Sequence, residues 1–229
     1  MPSASTRARR WQATKGALIT EAFIGLNLLI FIIGTAINGR MLAGETTQLQ
    51  VDLGLNGILL SQGPGQWYRI FTSGFIHFGL IHLGFNMYLL FQLGGMLESA
   101  IGRLRFALVY VACIAGGSAG AMLLQPLGLH GGASGAVFGL MGLAAVAYQQ
   151  RGINPMRTQI GSLLLMNLAI TFIVPGISIG GHLGGAITGG LCALVVLPRR
   201  PAAQSRQLQP FILIAIAFAA AAVTLFAIR

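Results

Sequence analysis

Apolar residues in this chain come in long runs separated by short polar stretches. A helix that crosses a bilayer needs about 20 mostly apolar residues at a rise of about 1.5 Å each. Seven segments meet or approach that length: 17–37, 78–98, 104–124, 134–150, 158–174, 181–197 and 210–228. The fourth to sixth are short or glycine-rich, which predicts helices held by protein neighbours more than by lipid. The first follows Arg7, Arg9, Arg10 and Lys15. It is longer than the roughly 7–15 residues of a secretory signal's apolar region. It therefore reads as an uncleaved span after a short basic tail, residues 1–16, with no soluble domain ahead of it. The polar stretches leave no room for a second domain. The expected fold is all-α and polytopic, one membrane domain over residues 17–228.

Lysine and arginine orient this arrangement. With the N-terminus in the cytoplasm, the inner side receives Arg7, Arg9, Arg10, Lys15, Arg103, Arg105, Arg151, Arg157, Arg199, Arg200 and Arg206. Only Arg40, Arg69 and Arg229 fall outside. Such a bias follows the positive-inside rule, and seven spans put the C-terminus outside. The same distribution explains a net charge of +10 and an isoelectric point near 11.3. The basic residues are not pooled or interleaved with aromatics, so nucleic acid is not an expected partner. Charged residues make up 8% of the chain and hydrophobic ones 55%, with a mean hydropathy of +0.79. A soluble domain carries about a quarter charged residues. Cys113 and Cys192 lie inside apolar spans without a CxxC neighbourhood, so neither a disulfide framework nor a zinc site is implied.

The longest connection, Asn38 to His77, falls on the outer side. Its glycines and Pro64 alternate with Leu53, Leu55, Ile58, Leu59, Leu60 and Phe71. That is too apolar for a flexible linker. It reads as a folded loop at the membrane interface, with Trp67 and Tyr68 at headgroup depth. Glycines recur at every fourth residue in three spans: Gly116 and Gly120, Gly135 and Gly139, and Gly181, Gly185 and Gly189. Small residues at this spacing let helix backbones approach closely. The fourth and sixth spans are thus the pair best built to touch.

Polar side chains inside membrane helices need a reason, and four stand out. Ser134 lies in Gly131-Gly132-Ala133-Ser134-Gly135, at the outer start of the fourth span. Taken alone it reads as an N-cap serine. The unpaired N–H groups of a first helical turn can also hold a developing oxyanion. His182 lies in Gly180-Gly181-His182-Leu183-Gly184-Gly185, at the outer start of the sixth span. Taken alone it reads as a packing histidine. Together the two sit at the same end of antiparallel spans whose glycine stripes permit contact. An imidazole there can take the proton of a serine nucleophile. His82 and Asn86 stand at i and i+4 on one face of the second span. They suit either an oxyanion hole or a structural contact between helices. His77 precedes them and reads as structural. A three-imidazole metal site from His77, His82 and His182 lacks a nearby carboxylate and an HExxH pairing. Glu21 and Glu98 lie near cytoplasmic ends and Asp52 in the outer loop, which leaves carboxylate catalysis without a residue. No cofactor and no metal are expected. A second class is a non-enzymatic transporter or an escort of membrane helices. The chain has no convincing internal repeat of the kind many transporters show.

This constellation resembles the rhomboid family of intramembrane serine proteases. Trp67-Tyr68-Arg69 leading into Phe71-Thr72 resembles that family's tryptophan–arginine loop motif. His77, His82 and Asn86 resemble its HxxxxHxxxN signature. Gly132-Ala133-Ser134-Gly135 is its GxSG, and Gly181-His182-Leu183-Gly184-Gly185 resembles its final histidine motif, with Gly181 where Ala is frequent. Gly94-Gly95-Met96-Leu97-Glu98 resembles its glycine-rich stretch ending in Glu. The motifs run in order from Trp67 to Gly189. The resemblance implies a six-helix core plus one C-terminal transmembrane helix. It implies Ser134 as nucleophile and His182 as general base, with His82, Asn86 and the Ser134 N–H on the oxyanion. Gly132, Gly135, His77 and Phe138 would support them, Phe138 standing where an aromatic packs on the histidine and is frequently Tyr. No required motif residue is missing, which argues against an inactive relative. The implied substrates are single-span or polytopic membrane proteins, cleaved in their transmembrane segments near the outer face. The excess of arginine over lysine and the abundance of Ala and Gly suggest a GC-rich bacterial genome, so the expected setting is a bacterial inner membrane.

Overall fold

A computed structural model describes residues 16–38, 45–174, 176–197 and 206–228. The tail arginines Arg7, Arg9 and Arg10 and Lys15 lie outside the described residues, as do Arg40, Arg199, Arg200 and Arg229. The chain is built from helices α1 (Leu18–Asn38), α2 (Gln48–Leu53), α3 (Gly57–Ser61), α4 (Arg69–Thr72), α5 (Leu80–Ile101), α6 (Arg103–Leu124), α7 (Ser134–Gln150), α8 (Gln159–Ile173), α9 (Ile179–Val196) and α10 (Gln209–Phe226). Among the described residues, the sole β pairing is an isolated bridge between Leu55 and His130.

Helices α1, α5, α6, α9 and α10 are long and apolar enough to cross a membrane. A helix satisfies all its backbone groups internally, which lipid requires. Helices α7 and α8 are shorter, at 17 and 15 residues. Helix α7 compensates by sitting in the middle: α5, α6, α8 and α9 all pack against it. The outer helices α1 and α10 instead turn residues such as Ile32, Ile37, Phe211 and Phe218 outward. Helix α5 runs past Glu98 to Ile101, three residues beyond its predicted end. The reason is a contact with α1. Glu98 is buried and accepts hydrogen bonds from the N–H groups of Ile19 and Thr20 and from Thr20 Oγ1, at 3.1, 2.8 and 2.9 Å. Its carboxylate thus satisfies the unpaired first turn of α1, with Arg103 at 3.8 Å. A paired carboxylate need not end a membrane helix. Gly102, at φ +88°, ends it instead and turns the chain into α6.

Glycine sets the core packing. A side-chain carbon on Gly185 or Gly189 would run into the backbone of Gly135 or Gly139 across the α7–α9 contact. The opposite face of α9 uses a second stripe, Gly180 and Gly184, which press on the backbone of Gly120 and Gly116 in α6. Helix α9 is therefore clamped between α6 and α7, the arrangement that i, i+4 small residues permit.

The long connection between α1 and α5 is folded where it is described. Arg69 is buried, and its guanidinium donates to Gln66 Oε1 at 2.7 Å and to the carbonyls of Val51 and Gly54. The Tyr68 hydroxyl donates to the Asp52 carbonyl and the Thr72 hydroxyl to that of Leu53. Leu55 and His130 exchange two backbone bonds, at 2.9 and 2.7 Å, and the Gly132 N–H donates to the Ser73 carbonyl at 2.9 Å. The loop is thus tied to the turn that opens α7. Trp67, beside it, is exposed.

Candidate active site

Ser134 is the first residue of α7, preceded by Gly132 at φ +132°. That backbone conformation strains any residue with a side chain. The position is also crowded, since an added carbon on Gly132 would lie 2.8 Å from His82 Nε2 and 3.5 Å from Ser134 Oγ. The missing side chain leaves room for the His82 ring against the turn that opens α7. Ser134 is half-buried. Among the described residues, no acceptor pairs with the Ser134 backbone N–H, as expected for the first turn of a helix. The N–H just before it, from Ala133, points to His77 Nε2 at 3.4 Å.

His77 is buried between the loop and the start of α5, with its carbonyl held by Gln50 Nε2 at 2.7 Å. Burial, with the nearby His82 second, pulls its imidazole down to about 3. His77 is therefore neutral at physiological pH and braces the turn before Ser134. Its ring meets that of His82 edge-on, with centroids 5.0 Å apart.

His82 and Asn86 share the inner face of α5. Asn86 is buried, and its Nδ2 donates to the His82 carbonyl one turn back at 3.0 Å, leaving one amide proton for the cavity. His82 Nδ1 accepts from the Phe78 N–H at 3.4 Å. Its proton then resides on Nε2, the nitrogen that faces Gly132.

His182 lies in the first turn of α9, which Ser178 caps by accepting the Gly181 N–H at 3.1 Å. Its ring stacks on Phe138 at a centroid distance of 4.0 Å and an interplanar angle of 16°. Its Nδ1 is 2.7 Å from Thr171 Oγ1 on α8, and Thr171 also donates to the Asn167 carbonyl at 2.7 Å. Ser134, His182, His82, Asn86 and Phe138 line one cavity of about 690 Å³, with Phe78, Ile81, Phe85, Asn167 and Ser178 among its other walls. Among the described residues, no hydrogen bond yet joins Ser134 Oγ to His182.

The sequence reading missed Thr171 and Asn167. They form an i, i+4 polar pair in an apolar helix, the same signal that marked His82 and Asn86. Both are buried on the inner side of α8, while Leu165, Met166 and Phe172 point outward.

Comparison with known proteins places this geometry in context. Residues 64–199 match the Rhomboid domain family, which is more than half of the chain. The rhomboid protease GluP of Bacillus subtilis is 34% identical over 203 residues, covering 86% of this chain and 39% of GluP. YdcA of the same organism, named as a candidate rhomboid protease, is 33% identical over 150 residues, covering 64% of this chain and 75% of YdcA. Rhomboid-type serine protease 2 of Emericella nidulans is 32% identical over 140 residues, covering 57% of this chain and 28% of that protein. The chain thus spans well under half the length of GluP and of the Emericella protease. With its membrane-spanning helices and its match across the helices that carry the cavity, the chain is an integral membrane protein and belongs to the rhomboid family.

Proposed function

We propose that this protein is an intramembrane serine endopeptidase that cuts transmembrane segments of other membrane proteins with a Ser134–His182 dyad. The observation that carries this reading is the convergence of Ser134, His182, His82 and Asn86 on one cavity at the N-terminal ends of α7 and α9. Relatives named as rhomboid proteases and serine proteases support it.

In this mechanism Ser134 Oγ attacks the scissile carbonyl carbon while its proton passes to His182 Nε2. The dyad hydrogen bond forms with substrate in place, since catalytic hydrogen bonds are frequently long in the free enzyme. The carbonyl oxygen becomes an oxyanion. The free Ser134 N–H, His82 Nε2–H and the spare Asn86 Nδ2 proton surround it. His182 then gives its proton to the leaving amine as the C–N bond breaks, leaving an ester on Ser134. Water, activated by the same imidazole, hydrolyses that ester and restores the serine.

Water is scarce in the bilayer core, so the cut falls near the outer face, where the cavity end of the bundle lies under the positive-inside orientation. The N-terminus is inside, the C-terminus outside, and the host is a bacterial inner membrane. The substrate is a single-span or polytopic membrane protein whose helix unwinds locally to present its backbone. A Gly near the cut eases that unwinding by about 1 kcal/mol relative to Ala.

The test is cleavage of a single-span substrate by the purified protein beside Ser134→Ala. Abolished cleavage with folding retained is expected, and unchanged cleavage by the variant rejects the dyad. Activity should also survive EDTA and o-phenanthroline. Loss that added zinc reverses would favour an imidazole metal site.

A further inference from the structure

We infer that Thr171 on α8 is a positioning residue that fixes the tautomer of His182, holding the proton on Nδ1 so that Nε2 faces Ser134 as a free base. This rests on the dyad reading and extends it to a residue outside the four signature positions.

The assignment follows from counting protons. A threonine hydroxyl carries one proton and can accept as well as donate. Thr171 Oγ1 lies 2.7 Å from the Asn167 carbonyl, which can only accept, and 2.7 Å from His182 Nδ1. If the hydroxyl proton went to Nδ1, two oxygen acceptors would face each other at 2.7 Å with nothing between them. Donation to Asn167 removes that conflict. Thr171 Oγ1 must then accept from His182, so Nδ1 carries the hydrogen. Neutral imidazole has one N–H, which leaves a lone pair on Nε2. Serine activation needs that tautomer; the other one presents an N–H to the hydroxyl it should deprotonate.

Orientation is shared between two neighbours. Stacking on Phe138 sets the ring plane but is indifferent to a half-turn within it. Phe138 has no hydroxyl, and among the described residues Thr171 is the sole hydrogen-bond partner of the His182 ring. Only the Thr171 bond distinguishes Nδ1 from the carbon that a half-turn would bring there. Thr171 is 3% exposed, so water does not readily replace it. The bond joins two helices, so the lock holds only while α8 is seated against α9.

The experiment compares wild type, Thr171→Val, Thr171→Ser, Ser134→Ala and His182→Ala in lipid bilayers. Valine keeps the shape of threonine and removes the hydroxyl. Expected is a fall in kcat of about tenfold for Thr171→Val, the factor of one lost hydrogen bond, with KM within about twofold. Thr171→Ser should recover most of the rate. Solid-state ¹⁵N spectra of histidine-labelled protein, with His182 assigned by its loss in His182→Ala, should report Nδ1–H in wild type and a tautomer mixture in Thr171→Val. Wild-type kcat in Thr171→Val, or a wild-type spectrum with the proton on Nε2, overturns the inference. Cleavage that persists in Ser134→Ala rejects the dyad instead. The spectra still decide between tautomers in that case, so the two failures are distinguishable.

Discussion

A single methyl group on Gly185 should disable the site without touching it. Gly185 sits one turn after His182 and presses on the residue next to Ser134. An added Cβ would run into the Gly135 carbonyl oxygen, with the Gly135 carbonyl carbon at 2.7 Å and its Cα at 3.1 Å. Carbon atoms rest about 3.5–4.0 Å apart. Relief therefore needs α7 and α9 to separate by close to 1 Å, and neither backbone is a flexible side-chain end. Overpacking of this kind costs about 1–3 kcal/mol. The movement parts the helices that carry nucleophile and base, and a misplacement of about 1 Å can lower turnover about 100-fold. The assay is cleavage of a single-span substrate by purified Gly185→Ala, paired with thermal unfolding in the same detergent. Gly25→Ala is the control, because a Cβ there meets nothing within 4 Å. It should match wild type in turnover and unfold no earlier than wild type, since Ala is the better helix former. Gly185→Ala with turnover within about twofold of wild type would refute the argument that this backbone contact sets the dyad's spacing.

Three further outcomes follow from the same structure. Asn86→Ala should lower kcat about 100-fold with little change in KM, as expected for one lost oxyanion donor; a change in KM alone would reassign Asn86 to substrate binding. Glu98→Gln should lower the unfolding midpoint, because a charged acceptor of three hydrogen bonds is replaced by a neutral one, with a loss of about 1–3 kcal/mol; an unchanged midpoint would show that α1 does not need this carboxylate. His77 is held down to about 3 from an ordinary 6.5, mainly by burial. The unfolded chain therefore binds a proton there that the folded one does not. Stability from neutral His77 is complete above pH 6.5 and is lost as pH falls toward 3, at up to about 1.4 kcal/mol per pH unit. His77→Gln should flatten that acid slope in unfolding measurements from pH 7 to 4, and an unaltered slope would contradict the assignment.

Much of this architecture is legible in the sequence. The glycine spacing in the fourth and sixth apolar segments pointed to a close helix pair, and α7 and α9 do meet through Gly135, Gly139, Gly185 and Gly189. The second stripe, Gly180 and Gly184, was overlooked because consecutive Gly-Gly pairs hide two faces in one motif. The expected second span stopped at Glu98, but the helix runs on to Ile101 with that carboxylate buried. Its partners are N–H groups 78 or 79 residues earlier in the chain, which no local pattern reveals. Thr171 escaped for a related reason. A threonine in an apolar helix usually bonds back to its own carbonyls, as Thr35 and Thr224 do. Its second bond, to His182, depends on how α8 leans on α9. Ser134, His82 and Gly132 were legible as motif residues, but that a side chain on Gly132 would collide with the His82 ring was not, since it depends on how α5 packs against the turn before α7.

The most direct measurement is covalent labelling of the purified protein with a fluorophosphonate, read by mass spectrometry of the peptide that contains Ser134. The account predicts a single adduct on Ser134, absent in Ser134→Ala and strongly slowed in His182→Ala. Labelling of Ser134 at the wild-type rate without the His182 imidazole, or no labelling of Ser134 in active protein, would contradict it.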